Sequence, residues 1–306
     1  MRKVESILDL IGKTPVVRLN KLPAAGSADI WLKLEYFNPG SSIKDRIGVG
    51  MLEAAEKAGK IAPGATIVEP TSGNTGVGLA IAAAAKGYHL ILVMPETMSA
   101  ERKALFQVFG AEFVLSPGAD GMNGAVQTAT EIVKKNPGYF MPQQFENPDN
   151  PATHEKTTAL EILEQFESID AFVAGIGTGG TITGVGKVLK KERPGALVVG
   201  VEPDSSPVIS GGNAGPHKIQ GIGAGFIPKT LDVKLLDRII RVKNDDAITT
   251  AQKLASREGI LTGISGGAAA FAAMEIAKEL GAGKTVVAIA PDTGERYIST
   301  DMYKFD

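Results

Sequence analysis

Short apolar runs rich in β-branched residues alternate along the chain with longer stretches of helical periodicity. This alternation predicts an α/β fold, a mostly parallel sheet covered by helices on both faces. Strands are predicted at 16–19, 30–34, 66–69, 90–94, 112–115, 171–175, 197–201, 239–242 and 285–290. Helices are predicted between them at 42–58, 74–86, 100–109, 122–135, 157–166, 181–191, 247–258 and 267–280. Gly110, Gly259 and Gly281 each follow the last periodic residue of a helix, where a left-handed cap is expected. The stretch Glu146-Asn147-Pro148-Asp149-Asn150-Pro151 carries two prolines and no apolar residue, so it reads as the connection between two lobes, 1–146 and 147–306. A length of 306 residues agrees with two lobes, because one core rarely grows past about 250 to 300 residues.

Composition narrows the chemistry. The chain has no cysteine, which excludes a disulfide framework, a zinc ribbon, an iron–sulfur cluster and a cysteine nucleophile. His89, His154 and His217 are too scattered for a metal-ligand run, so no metal is expected. With 32 Lys+Arg against 34 Asp+Glu and both signs mixed, the chain lacks the basic footprint of a nucleic-acid binder. The longest apolar stretch, 79–85, is too short to span a bilayer, and Met1 to Asp9 has no apolar core of signal-peptide length. A soluble cytoplasmic protein with no membrane partner is expected. Glycine is the departure from the average: 37 of 306 residues, about 12% against the usual ~7%.

Much of that glycine falls in three loops of one design, in which an apolar strand gives way to small hydroxyl and glycine residues and then to a helix. They are the stretches 68–76, 173–181 and 261–267. Glycine lets backbone approach a ligand, and the first helical N–H groups and the helix dipole favour an anion or an acceptor. In a parallel sheet such loops share the carboxyl edge, so the three can converge on one large polar ligand. The middle loop also satisfies G-x-G-x-x-G through Gly175, Gly177 and Gly180, with Glu202 about 20 residues on, which keeps a dinucleotide oxidoreductase open as an alternative. Thr178, Gly179 and Thr181 suit a terminal phosphate better than a threaded pyrophosphate. Lys44 is the other unusual residue. Ser42 and Asp45 read as a capping box that places Lys44 in the first turn of a helix, where the positive helix end and Arg46 would favour the neutral, nucleophilic amine.

With these residues in view, the chain resembles the cysteine synthase (O-acetylserine sulfhydrylase) family of pyridoxal-phosphate enzymes. The runs that carry the resemblance are P-G-S-S-I-K-D-R, E-P-T-S-G-N-T-G, G-T-G-G-T, Pro216 to Pro228 (P-H-K-I-Q-G-I-G-A-G-F-I-P) and G-I-S-G-G. It extends from Ile11-Gly12-Lys13-Thr14-Pro15 to Gly294-Glu295-Arg296-Tyr297, essentially the whole chain. The resemblance implies the tryptophan synthase β-like fold (fold type II): two open, mostly parallel twisted sheets covered by helices, with the cofactor between the lobes. It further implies that the first ~35 residues pack on the other lobe and that about 94–116 belong to a mobile subdomain. Lys44 would carry pyridoxal 5'-phosphate as a Schiff base. Gly177, Thr178, Gly179, Gly180 and Thr181 would hold its phosphate, Asn74 its ring hydroxyl oxygen, and Ser265 its pyridine nitrogen. Thr71, Ser72, Thr75 and Gln143 would bind the substrate carboxylate.

The implied reaction replaces the acetoxy group of O-acetyl-L-serine by sulfide, through an α-aminoacrylate, to give L-cysteine and acetate. A homodimer and a complex with the C-terminal tail of serine acetyltransferase are implied in the same way. Within the family, dehydratases carry a tetraglycine phosphate loop where this chain has Gly177-Thr178-Gly179-Gly180-Thr181. Cystathionine β-synthases have an acidic residue within G-I-G-x-x-F, where this chain has Ala224 and Gly225. An O-phosphoserine-using enzyme would want an added cation near the leaving group, for which Lys218 is the candidate.

Overall fold

Residues 3–300 and 302 are described by the structure, a computed structural model. In chain order the elements are β1 (Val16–Arg18), β2 (Asp29–Leu34), α1 (Lys44–Lys57), β3 (Thr66–Pro70), α2 (Asn74–Lys86), β4 (His89–Pro95), α3 (Ala100–Val108), β5 (Glu112–Ser116), α4 (Gly121–Lys135), α5 (Asp149–Lys156), α6 (Thr158–Gln165), β6 (Ala171–Gly175), α7 (Gly180–Glu192), β7 (Leu197–Pro203), β8 (Arg238–Val242), α8 (Asn244–Lys253), α9 (Ile264–Leu280) and β9 (Thr285–Ala290). They fall into two compact units, one built from Met1–Ile11 and Asn38–Asn150, the other from Gly12–Phe37 and Pro151–Asp306.

The first unit holds a three-stranded parallel sheet in the order β3-β4-β5. Both faces are covered, and the alternation of a strand sorts its residues between them. Ile67, Leu92 and Met94 pack with Val77, Leu79 and Phe106 on the face of α2 and α3. Their neighbours Val68 and Val93 pack with Ala125 and Ala129 of α4 on the opposite face.

The second unit holds a six-stranded sheet in the order β1-β2-β9-β6-β7-β8, parallel except where β1 pairs antiparallel with β2. Against one face lies α9, whose buried Ala268, Ala270, Ala272, Ala273 and Ala277 let the helix approach Ala288 and Ala290 closely. A buried polar cluster ties the Gly12–Phe37 segment to α6. Lys33, fully buried, has its Nζ 2.9 Å from Glu161 Oε2 and donates to Thr14 O at 3.1 Å and Gln165 Oε1 at 3.0 Å.

The chain passes from one unit to the other between Asn150 and Pro151, inside the stretch 146–151, which also contains the start of α5, because Pro151 falls in a first helical turn, where its missing N–H removes no intrahelical bond. Three local expectations are corrected. The last turn of the predicted 247–258 helix is a π turn, Leu254–Glu258, and α8 begins three residues early, at Asn244, with Asp245 and Asp246 in its first turn. The loop 261–267 does not follow a sheet strand: Thr262 forms only an isolated bridge to Thr293 before α9 begins. The capping box at Ser42 and Asp45 does not form. Asp45 Oδ2 instead accepts from Gly40 N at 2.5 Å, Ser42 Oγ accepts from Lys44 N at 3.2 Å, and the cap residue Ile43 already has helical backbone angles.

Candidate active site

The first glycine loop leaves the carboxyl end of β3 and enters α2. Thr71 N donates to Val93 O of the neighbouring strand at 3.0 Å, and Thr71 Oγ1 accepts from Gly73 N at 3.3 Å. Thr71 and Thr75 are buried, while Ser72, Gly73 and Asn74 are half-buried. Helix α3 grips this loop at two points. Arg102 Nη1 donates to Ser72 O at 2.8 Å, and a Cβ on Gly76 would stand 2.9 Å from the ring of Phe106. Ser72 Oγ also donates to Met122 Sδ of α4 at 3.7 Å.

Lys44 is the first residue of α1 and is half-buried. Its position is fixed by a crossing of α1 and α2 in backbone contact: a Cβ on Gly78 would lie 2.6 Å from Lys44 O, and one on Gly48 would lie 2.5 Å from Gly78 C. Gly78 is one helical turn beyond Asn74, so the crossing brings the backbone of Lys44 beside the first turn of α2. Only glycine permits that approach. Gln143 completes the predicted set in this unit. It is exposed, and its φ of 58° lies in the left-handed region that side chains rarely adopt. Glu69 on β3 holds it there, with Oε2 accepting from Gln143 N at 2.9 Å and Oε1 from Gln144 N at 3.2 Å. Gln144 Oε1 in turn accepts from Thr75 Oγ1 at 2.6 Å. Burial pushes the Glu69 carboxyl up to about 7, against the two amides, which favour its ionised form.

In the second unit, the loop from β6 to α7 is shaped by backbone collisions that any side chain would cause. A Cβ on Gly177 would lie 2.3 Å from Gly221 O, and one on Gly179, whose φ is 84°, would lie 2.6 Å from Leu231 Cβ. The 221–231 stretch thus forms the back of the loop. Gly223 N donates to Ile176 O at 2.9 Å, and Thr230 Oγ1 donates to Thr178 O. Ser265, buried in the first turn of α9, has its Oγ 3.8 Å from where a Cβ on Gly221 would sit. Gly221 therefore brings the 177–181 loop and Ser265 together. All three helices entered from these loops begin at a glycine, Gly73, Gly179 or Gly263, with no side-chain cap, an arrangement that suits an anion at the helix start.

Several participants were not legible beforehand. Buried His154 bridges two hydroxyls, with Nε2 3.2 Å from Thr181 Oγ1 and Nδ1 2.8 Å from Thr158 Oγ1. The scatter of the histidines along the sequence speaks only against a metal site, and the spacing of four between His154 and Thr158 is the one local sign of this contact. Glu69 and Gly221 lie inside runs already singled out, but nothing in their spacing shows what each touches. Glu202, the acid of the dinucleotide alternative, is occupied locally: it accepts from Ile209 N at 2.9 Å and Ser210 N at 3.0 Å.

Comparison with known proteins gives one family. Residues 7–292 match the family described as pyridoxal-phosphate dependent enzyme, which overturns the dinucleotide alternative. A cysteine synthase of Staphylococcus aureus is 58% identical over 307 residues, spanning 100% of this chain and 99% of that protein. Among solved structures, the cysteine synthase (OASS) of Entamoeba histolytica superposes with a TM-score of 0.96 at 44% identity, covering 100% of this chain and 92% of that one. An O-ureido-L-serine synthase superposes with a TM-score of 0.95 at 43% identity, covering 99% and 96%. With the family matched over nearly the whole length, this chain belongs to the pyridoxal-phosphate dependent enzymes.

Proposed function

We propose that this protein is a cysteine synthase: it replaces the acetoxy group of O-acetyl-L-serine by sulfide, releasing L-cysteine and acetate. The observation that carries the reading is the 58% identity to a cysteine synthase over the full length of both chains. The residues fit the family's cofactor. The 177–181 loop is backed so closely by the 221–231 stretch that a Cβ on Gly177 or Gly179 would collide with it, and the loop ends in the uncapped start of α7, which suits a phosphate. Gly177, Thr178, Gly179, Gly180 and Thr181 would hold that phosphate, Asn74 the ring oxygen, Ser265 the ring nitrogen, and Lys44 Nζ would bond the aldehyde carbon.

When bound, pyridoxal phosphate acts as an electron sink that acidifies the substrate Cα and lets a group depart from Cβ. Thr71, Ser72, Thr75 and Gln143 bind the substrate carboxylate and orient the Cα–H bond. Lys44 Nζ takes the Cα proton as acetate leaves with its bonding electron pair, and gives the proton back to Cα after sulfide has added at Cβ. Ser265 offers the ring a neutral hydroxyl instead of a carboxylate, which moderates the sink and favours departure of the β group. The Arg102 and Phe106 contacts of α3 to the loop support 94–116 as the segment that closes over a bound carboxylate and excludes water.

The substrates are small molecules. A homodimer, a serine acetyltransferase tail seated on the carboxylate residues and a cytoplasmic location belong to the same reading. Among the described residues no helix is long and apolar enough to cross a membrane. The deciding experiment supplies O-acetylserine, O-phosphoserine and serine, each with sulfide and with homocysteine, and identifies the products. Cysteine from O-acetylserine and sulfide as the fastest pair supports the reading. Faster cystathionine formation from serine and homocysteine overturns it.

A further inference from the structure

We infer that Glu69 is a positioning residue for the amino-acid substrate: it sets the carboxylate-binding residues Gln143 and Thr75 without touching substrate itself. The inference rests on the assignment of those two residues made above. Its ground is a chain of contacts in one unit. The Glu69 side chain is buried, 1% exposed, and its two oxygens take the amides of two successive residues, Gln143 N at 2.9 Å and Gln144 N at 3.2 Å. A carboxylate fixed by a strand that meets two adjacent amides defines the local backbone more tightly than one bond could. Gln143 needs that definition, because its φ of 58° is costly for a residue with a side chain and persists only where the surroundings impose it.

The second amide extends the control. Gln144, only 6% exposed, accepts the Thr75 hydroxyl proton at 2.6 Å, and that bond anchors the Thr75 side chain and with it the first turn of α2, whose N–H groups are the donors left for a carboxylate. One carboxylate thus sets the backbone that presents Gln143 and, through Gln144, the position of Thr75 and its N–H. Thr75 lies one residue beyond Asn74, at the start of α2, and β3 carries Glu69 directly into the same loop. Glu69 has no place in the proton transfers assigned to Lys44, so its effect is confined to how well the carboxylate is received.

The test uses the holoenzyme with Glu69→Gln, which keeps shape but turns an NH2 group toward one of the two amides. The KM for O-acetylserine should rise about tenfold, the size of one lost hydrogen bond, with kcat, the KM for sulfide and the cofactor absorbance kept. Glu69→Asp, which keeps the charge but draws it back, should give a smaller rise and serves if Glu69→Gln folds poorly. An unchanged KM for O-acetylserine in the variant that folds, or losses shared equally among kcat, both KM values and cofactor content, would overturn the inference. Gln143→Ala and Thr75→Val are measured alongside. If both leave the KM for O-acetylserine unchanged, the carboxylate assignment itself falls, and the inference with it. If they raise it and the Glu69 variants do not, the inference alone falls.

Discussion

The two glycine loops that leave parallel strands, 71–76 and 175–181, look alike in sequence and are held in different ways. The second is locked by backbone: Gly177 against the Gly221 carbonyl and Gly179 against Leu231 leave no room for even one added carbon. The first is held largely by side chains that can let go, with Arg102 on Ser72 O and the Glu69–Gln144–Thr75 series behind it. Space around Gly73 is open, the nearest atom to an added Cβ being Arg102 Nη1 at 3.9 Å. A group that stays bound through every turnover is served by a rigid cradle. A substrate that enters and leaves is served by a loop whose contacts can remake themselves.

The largest expected effect leaves both loops intact. Lys44→Ala should lower turnover of O-acetylserine and sulfide by roughly a thousandfold or more, as loss of a combined covalent and proton-transferring group does. Steady-state assay and the visible spectrum check it, and wild-type turnover would refute the role of that amine.

The next concerns the support of the first loop. The folded-state pKa of Glu69, about 7, lies above its ordinary 4.5. The native state therefore holds this proton more tightly, and the stability it contributes is present below about 4.5 and lost as pH rises to about 7. The loss is of order 3 kcal/mol. Unfolding free energies of wild type and Glu69→Gln, compared from pH 5 to 8, should move in the variant's favour by about that amount. A constant difference would show that the carboxyl is not titrating there.

Gly177→Ala and Gly73→Ala then probe the comparison itself. Gly177→Ala must displace a carbonyl 2.3 Å away, so it should cost about 1 to 3 kcal/mol and lower cofactor content, read by melting and by absorbance. Gly73→Ala, at φ −114° and with open space, should shift stability by less than about 0.5 kcal/mol and leave cofactor content unchanged. Equal losses in the two variants would erase the distinction between a locked and an adjustable loop.

Much of this architecture was legible because its signals are local. β6 and β9 coincide with the predicted 171–175 and 285–290, and α2 with 74–86, since apolar runs bounded by glycine or proline and Ala-rich helical stretches leave one reading each. The boundaries failed where position within an element outweighs composition. Pro151 breaks a helix interior but is accepted in a first turn, so the sequence does not show that α5 begins inside the stretch where the chain passes from one unit to the other. Asp45 had the spacing of a capping box, yet the turn at Ser41, with a φ of 55°, brings Gly40 N to its carboxylate first.

The sequence by itself determined the α/β alternation, the glycine loops and the lysine at the start of α1, because each is written in residues adjacent along the chain. Only the tertiary structure decided that Gly78 lies against Lys44, that Gly221 lies against Gly177, that His154 meets Thr181 and that Glu69 holds Gln143. Those pairings join residues 27 to 74 positions apart, set by the packing of helices on strands. Hydrophobic periodicity fixes which face of an element turns inward, but not which residue it will meet there.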